Sequence, residues 1–186
     1  MPIVTSDGLC FMYSCRPTIV LRCDEATGEI EEVARKPGPL IAEHFRGGSQ
    51  AVEVQGGYLF VVHESVDFED GGRVCPHRFI FLDRAFNITH ISPQFFFLDR
   101  ALEFCTGLAL RGELLTASFG YADREAHVAT THLGEILAML QPVSGGWCPF
   151  PKASSLPTIS VDGKPALPAG EGDHRSVSPA ALVQRN

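Results

Sequence analysis

Through most of the first 132 residues, apolar and polar positions alternate in short runs bounded by Gly, Pro and acidic turn residues, the period of half-buried β-strands. LCFMYS from Leu9 and TIVLRCD from Thr18 are followed, past the turn EATGE, by EIEEV, so Leu9 to Val33 predicts three strands, with Gly28 where a turn wants a positive backbone angle. ARKPGPL is a Pro and Gly connector. SQAVEV and YLFVVHES flank QGG at Gln55 to Gly57 and read as a hairpin. DFEDGGRVCP is a polar excursion long enough for a functional rim loop. RFIFLDR and NITHIS predict a second hairpin through AF, GLALRGELLTASFG a third about Gly112, and EAHVATTH a further strand. FFFL, Phe95 to Leu98, reads as core strand, because three consecutive Phe cannot all face a solvated channel. The string FLDRA occurs at Phe81 to Ala85 and again at Phe97 to Ala101, which raises a blade-like internal repeat.

One segment changes period. HLGEILAML sets Leu133, Ile136, Leu137 and Leu140 at helical spacing and predicts a single short amphipathic helix. Beyond Trp147 the texture becomes Pro, Ser, Gly and Ala with few large apolar residues, so residues 1–148 are expected to form one domain and 149–186 a disordered tail. Nine or so hairpin-linked strands with one helix predict an all-β architecture: propeller, sandwich or barrel. The grouping of strands in threes and fours between GG-containing loops favours the propeller.

Composition narrows the function. The chain has 186 residues, 45% of them hydrophobic, with 22 acidic against 15 basic side chains for a formal charge of −7. The apolar fraction is globular, and no apolar run reaches the roughly 18 residues of a membrane helix. Nucleic-acid binding needs clustered Lys and Arg, and the sequence holds no such cluster. MPIVTSDGLC lacks the basic stretch and apolar core of a secretory signal, so the expected compartment is the cytoplasm and the cysteines are expected as thiols. Cys10, Cys15, Cys23, Cys75, Cys105 and Cys148 contain no CxxC pair, so no metal site is expected.

Four pieces, in order between Arg46 and Leu140, carry a resemblance: RGGSQAVEVQGGYLFVVHE, HRFIFLD at His77 to Asp83, EFCTGLA at Glu103 to Ala109, and SFGYADREAHVATTHLGEILAML. Together they resemble the second half of the five-bladed β-propellers of glycoside hydrolase family 130, the mannoside phosphorylases, β-mannosidases and related mannosyltransferases. FMYSCRPTIVLRCDEATGEI is similar to a central blade of those propellers. The resemblance implies a partial propeller of about three blades, with His63 on the family's Tyr-His motif and Asp123 on its Tyr-Tyr-Gly-Ala-Ala-Asp motif. It departs from the family in two places. The family's catalytic Asp, a proton donor from the N-terminal part, has no counterpart here, and Glu64 stands where the family has Gly. The chain therefore reads as a carbohydrate-active protein lacking its catalytic Asp, or as a non-catalytic glycan-binding or interaction module; a plain β-sandwich without sugar function is the third reading.

In a propeller, polar residues at strand ends meet the ligand. His63, Glu64, His77, Arg78, Glu103 and Asp123 are of that kind. Arg78 beside His77 offers a fork of donors and an imidazole for phosphate or sugar hydroxyls, or pairs with a carboxylate at the channel wall. Glu103 would serve as general acid if a dry pocket raised its pKa, but glycoside cleavage needs two opposed carboxyl groups and sequence supplies no separation for Glu103 and Asp123. Arg46, Gly47, Gly48 and Ser49 form a Gly-rich loop able to cradle an anion or simply shaped by loop geometry. Tyr58, Phe119, Tyr121 and Trp147 are the aromatic residues available to a sugar. The substrate-binding candidates are thus Arg46, Ser49, His63, His77, Arg78, Glu103 and Asp123, with Glu103 the candidate for catalysis, inorganic phosphate the conceivable co-substrate and no cofactor or metal. An open partial ring would also expose strand edges and apolar faces, so self-association is expected.

Overall fold

The computed structural model describes residues 1–69 and 71–143, with the backbone of 160–161 and 164–165. The chain opens with β1 (Pro2–Thr5), β2 (Gly8–Cys15), β3 (Thr18–Cys23) and β4 (Ile30–Lys36), then a 3-10 turn at Leu40–His44. The hairpin β5 (Val52–Val54) and β6 (Gly57–His63) follows, then the two-residue ladder β7 (Val66–Asp67) and β8 (Arg73–Val74) inside the polar excursion, and the hairpin β9 (His77–Asp83) and β10 (Ile88–Ile91). The meander β11 (Glu103–Arg111), β12 (Leu114–Tyr121) and β13 (Glu125–His132) leads into the helix α1 (Leu133–Met139) and β14 (Gln141–Pro142); β15 (Ser160–Val161) and β16 (Lys164–Pro165) complete the strands.

These strands form three antiparallel sheets and the small ribbon. The first sheet runs β1-β2-β3-β4, the middle one β14-β10-β9-β6-β5, and the third β11-β12-β13-β15-β16. Turn chemistry sets the registers. Gly28 closes β3 on β4 at φ 75°, where the Asp24 carboxylate also accepts the N–H groups of Ala26 and Thr27, and Gly112 turns β11 into β12 at φ 60°.

The middle sheet is buried on both sides. Tyr58, Phe60, Val62, Ile80 and Leu82 pack with Ile3, Cys10, Met12 and Val20 of the first sheet. Leu59, Val61 and Phe79, the alternate residues, pack with Cys105, Leu108, Leu115, Ala117 and Phe119 of the third. Double-sided burial is why YLFVV is a continuous apolar run while β2 and β12 alternate. The first strands of the three sheets also meet: the Ala51 N–H donates to the Pro2 carbonyl at 2.8 Å and the Gln50 side-chain amide to the Leu108 carbonyl at 2.6 Å, linking the β5 edge to β1 and to β11.

Among the described residues, strands in several antiparallel sheets with one short α-helix are what the periodicity predicted, but several particulars differ. The pattern did not announce β1, which exists by pairing Ile3 with Cys10 and Val4 with Leu9. FFFL is core without being a strand: Phe95 and Phe97 are buried, and Phe95 makes a single bridge to His77. The two FLDRA strings are not structurally equivalent, since Phe81 to Ala85 ends β9 and turns, whereas Phe97 to Ala101 is loop. In α1 the buried stripe is Leu133, Ile136 and Met139; Leu137 is exposed, because a two-turn helix lying on one core covers only a narrow stripe. Of the expected tail, residues 149–186, all but four residues lie outside the described part of the chain.

Candidate functional site

One end of the sheets gathers the polar residues. There β6 ends at His63, β9 begins at His77 directly opposite it, and β11 begins at Glu103. Both imidazoles lie on the face turned to the third sheet, with ring centroids 6.3 Å apart.

His77 is wholly buried, and its Nε2 accepts the Cys105 N–H at 3.2 Å, which assigns the proton of the neutral ring to Nδ1. That Nδ1 makes no hydrogen bond and stands 3.8 Å from a Glu103 carboxylate oxygen. Burial, helped by His63, drives the His77 pKa down to about 3, so at neutral pH the contact is not an ion pair. Glu103 is equally buried, and its carboxylate accepts the backbone N–H groups of Phe97, Leu98 and Asp99 at 2.7, 2.9 and 3.0 Å. Burial raises its pKa; the three N–H donors pull the other way and the Asp99 charge adds to the rise. Glu103 thus closes the loop from Phe97 to Asp99, a positioning task that occupies both of its oxygens.

His63 is buried, with its Nδ1 making no hydrogen bond, while the ring bonds to the Gly47 backbone. Burial lowers its pKa, the Gly47 bond offsets this and the Arg46 charge lowers it further. The backbones of Arg46 and His63 bridge each other, and the exposed Phe104 ring meets the imidazole edge-on at 4.7 Å. Arg46, Gly47, His63 and Phe104 therefore line one rim where the edge of the middle sheet meets β11. Asp123 is exposed at the same end, in the β12–β13 turn, with φ 54° following Ala122 at 52°; together with Glu103 it acts on the Cys75 thiol, which burial raises.

Searches of protein-family models, curated proteins and solved structures find no match to this chain.

Two expected ligand residues are elsewhere. Arg78 alternates with His77 and faces the first sheet, where its Nε donates to Glu64 at 2.6 Å and an Nη to the Ser92 carbonyl at 3.0 Å. Its guanidinium lies 6.0 Å from the Phe45 ring centroid, and Gln94 bonds the same Glu64 oxygen. The fork of Arg78 with His77 does not form; of the two readings of Arg78, the carboxylate pair is the one present. Ser49 is fully buried, its hydroxyl accepting the Val61 N–H at 2.9 Å, so it serves the backbone and not the rim. Phe104 was missed, although its place between the buried Glu103 and Cys105 marks it by alternation as outward-facing. Among the described residues, no group of three or more His, Cys, Asp or Glu could hold a metal ion, and no helix is long and apolar enough to cross a membrane.

The buried imidazole predicts a pH dependence. Folded His77 stays unprotonated to about pH 3 whereas the unfolded residue takes a proton near 6.5, so between these values the unfolded chain binds more protons and stability rises with pH. Lowering the pH from 7 to 5 is expected to remove about 2 kcal/mol through His77 alone. Glu103, with its pKa raised, has the opposite sign: it disfavours the fold above its folded pKa and relieves that penalty as pH falls. Urea titrations at pH 7, 6 and 5 check this, and a His77→Gln chain should show a flatter profile; equal slopes in both chains would contradict a neutral, buried His77.

Proposed function

We propose that this chain is a three-sheet part of a β-propeller and acts as a non-catalytic carbohydrate-binding module, taking a sugar at the rim of Arg46, Gly47, His63 and Phe104. Supporting the propeller reading are three antiparallel meanders packed face to face whose first strands β1, β5 and β11 are tied edge to edge. The observation that carries the binding reading is the exposed Phe104 ring against His63, with the exposed Arg46 alongside. A flat apolar face beside a fork of donors suits the alternating C–H and hydroxyl surface of a sugar ring.

Binding is favoured over cleavage by the condition of the carboxylates. Hydrolysis by the usual route needs two of them facing each other across the scissile bond. Glu103 is committed to three backbone donors, Glu64 to Arg78 and Gln94, and Asp123 stands exposed on a turn. The test is titration calorimetry of the full chain with mannosides and, separately, with inorganic phosphate, accompanied by a turnover assay. Binding of a mannoside without turnover, weakened about tenfold or more in Phe104→Ala and in Arg46→Ala, is expected. Cleavage or phosphorolysis by the chain alone, or undiminished binding in both variants, would overturn the proposal.

A further inference from the structure

The first sheet turns one face away from the middle sheet. Ile3, Cys10, Met12 and Val20 pack inward, so their neighbours along the strands point out. On that outer face Val4 pairs with Leu9, Phe11 with Leu21 and Cys23 with Ile30, and Tyr13 projects at a bulge. Val4 is 75% exposed, Tyr13 73% and Ile30 67%. An antiparallel sheet that faces water ordinarily alternates apolar-in with polar-out; among the described residues of this face, charge is confined to β4, where Glu32 and Arg35 pair with each other. Four strands about 4.8 Å apart and about six residues long, at about 3.3 Å per residue, make a face of roughly 380 Å². A contiguous apolar patch of that size is the kind that carries an interaction.

Carboxylates bound one end of this face. The β1–β2 turn carries Asp7 and the β3–β4 turn Asp24, Glu25 and Glu29, all exposed, with no Lys or Arg in either turn. Asp24 directly follows Cys23 and Glu29 directly precedes Ile30, so the acids adjoin an apolar cross-strand pair. Asp24 and Glu29 also oppose each other, the Asp24 N–H donating to the Glu29 carbonyl at 2.9 Å, and like charges placed opposite across a ladder repel. Asp24 has a task in the turn: its carboxylate accepts the Thr27 and Ala26 N–H groups, which hold its pKa below the ordinary value. Glu25 and Glu29 have none, since among the described residues their carboxylates make no hydrogen bond or ion pair. Arg22 and Arg35 on the neighbouring strands are taken by Glu31 and Glu32, and Arg16 and Lys36 lie at the opposite end of the sheet.

We infer that the outer face of the first sheet docks a polypeptide segment whose apolar side chains are flanked by Lys or Arg, the apolar part lying across Val4, Tyr13 and Ile30 and the cations meeting Glu25 and Glu29. Charge selects this occupant over a second copy, because another copy would bring the same acidic turns on a chain of net charge −7. Phe104 belongs to the third sheet and stays free, so the docking surface and the sugar site stand or fall separately.

The test is fluorescence anisotropy of the full chain with a labelled synthetic peptide of leucines and valines flanked by lysines at both ends, with circular dichroism to verify folding. The lysine peptide is expected to bind with a micromolar Kd. A peptide with glutamates in place of the lysines, and one with serines in place of the apolar residues, should each bind about tenfold or more weakly. Val4→Lys with Tyr13→Lys, and separately Glu25→Lys with Glu29→Lys, should stay folded and lose about tenfold or more in affinity for the lysine peptide. The first pair breaks the apolar face and the second reverses the charge at its border. Equal affinity for the glutamate peptide, no binding of the lysine peptide at high micromolar chain, or undiminished affinity in either variant would overturn the inference. So would a dimer of the unaltered chain in sedimentation velocity that is lost in Val4→Lys with Tyr13→Lys, since the face would then belong to a second copy.

Discussion

Replacing Glu103 with Ala is expected to destabilise the chain by about 4 kcal/mol, the scale set by stripping the acceptor from several buried donors at once. The Phe97, Leu98 and Asp99 N–H groups all terminate on this carboxylate, and no water replaces it at a residue with zero exposure. The loop they belong to carries Phe95 and Phe97 into the core against Phe79 and Phe119, so loosening it exposes apolar rings as well. Glu103→Gln should cost about half as much, because one amide oxygen still accepts while the NH₂ group faces a donor. Removal of the buried charge offsets part of that loss. Urea unfolding at pH 7 distinguishes this structural role from a catalytic one. A catalytic acid held at the expense of stability would leave Glu103→Ala as stable as the unaltered chain or more so, and that result would remove the positioning role assigned here.

Gly48→Ala is expected to lower stability by about 3 kcal/mol, while its neighbour Gly47→Ala stays within about 0.5 kcal/mol. A Cβ at Gly48 would come within 2.2 Å of the Val61 carbonyl oxygen and 3.0 Å of its carbon, backbone atoms that cannot swing aside. The same carbonyl accepts the Ser49 N–H at 3.0 Å, so relieving the clash breaks the pairing that holds this segment on β6. At Gly47 nothing lies within 4 Å of the added carbon. Gly48 is therefore glycine because the backbone passes close to β6, and Gly47 is the position left open toward the rim. Thermal unfolding of the two variants measures the contrast; equal losses would show that the loop is set by something other than the approach to Val61.

Much of the framework is legible along the chain. Period-two alternation and turn glycines such as Gly28 and Gly112 mark most of the long strands, because both signals are local: they need only the pleat and the left-handed backbone of a turn. The same rule, followed consistently, would have corrected one expectation and supplied a missing residue. Neighbours in a strand point to opposite faces, so Arg78 could not join His77 in a fork, and Phe104 could not share the burial of Glu103 and Cys105. The ladders β7 and β8, two residues each, are too short for any period to appear.

The sequence by itself determined most of the long strands, their turns and the helix α1, but not β1 or the ladders β7 and β8, since the former follow from side-chain spacing and backbone sterics within a few residues. Only the tertiary structure decided which polar side chains are available to a ligand. Glu103 and His77 look like strand-end ligands on paper and Ser49 like part of an anion-cradling loop, yet each is buried and bonded to backbone. Whether a strand end faces solvent or another sheet depends on contacts between residues far apart in the chain, which no local pattern encodes.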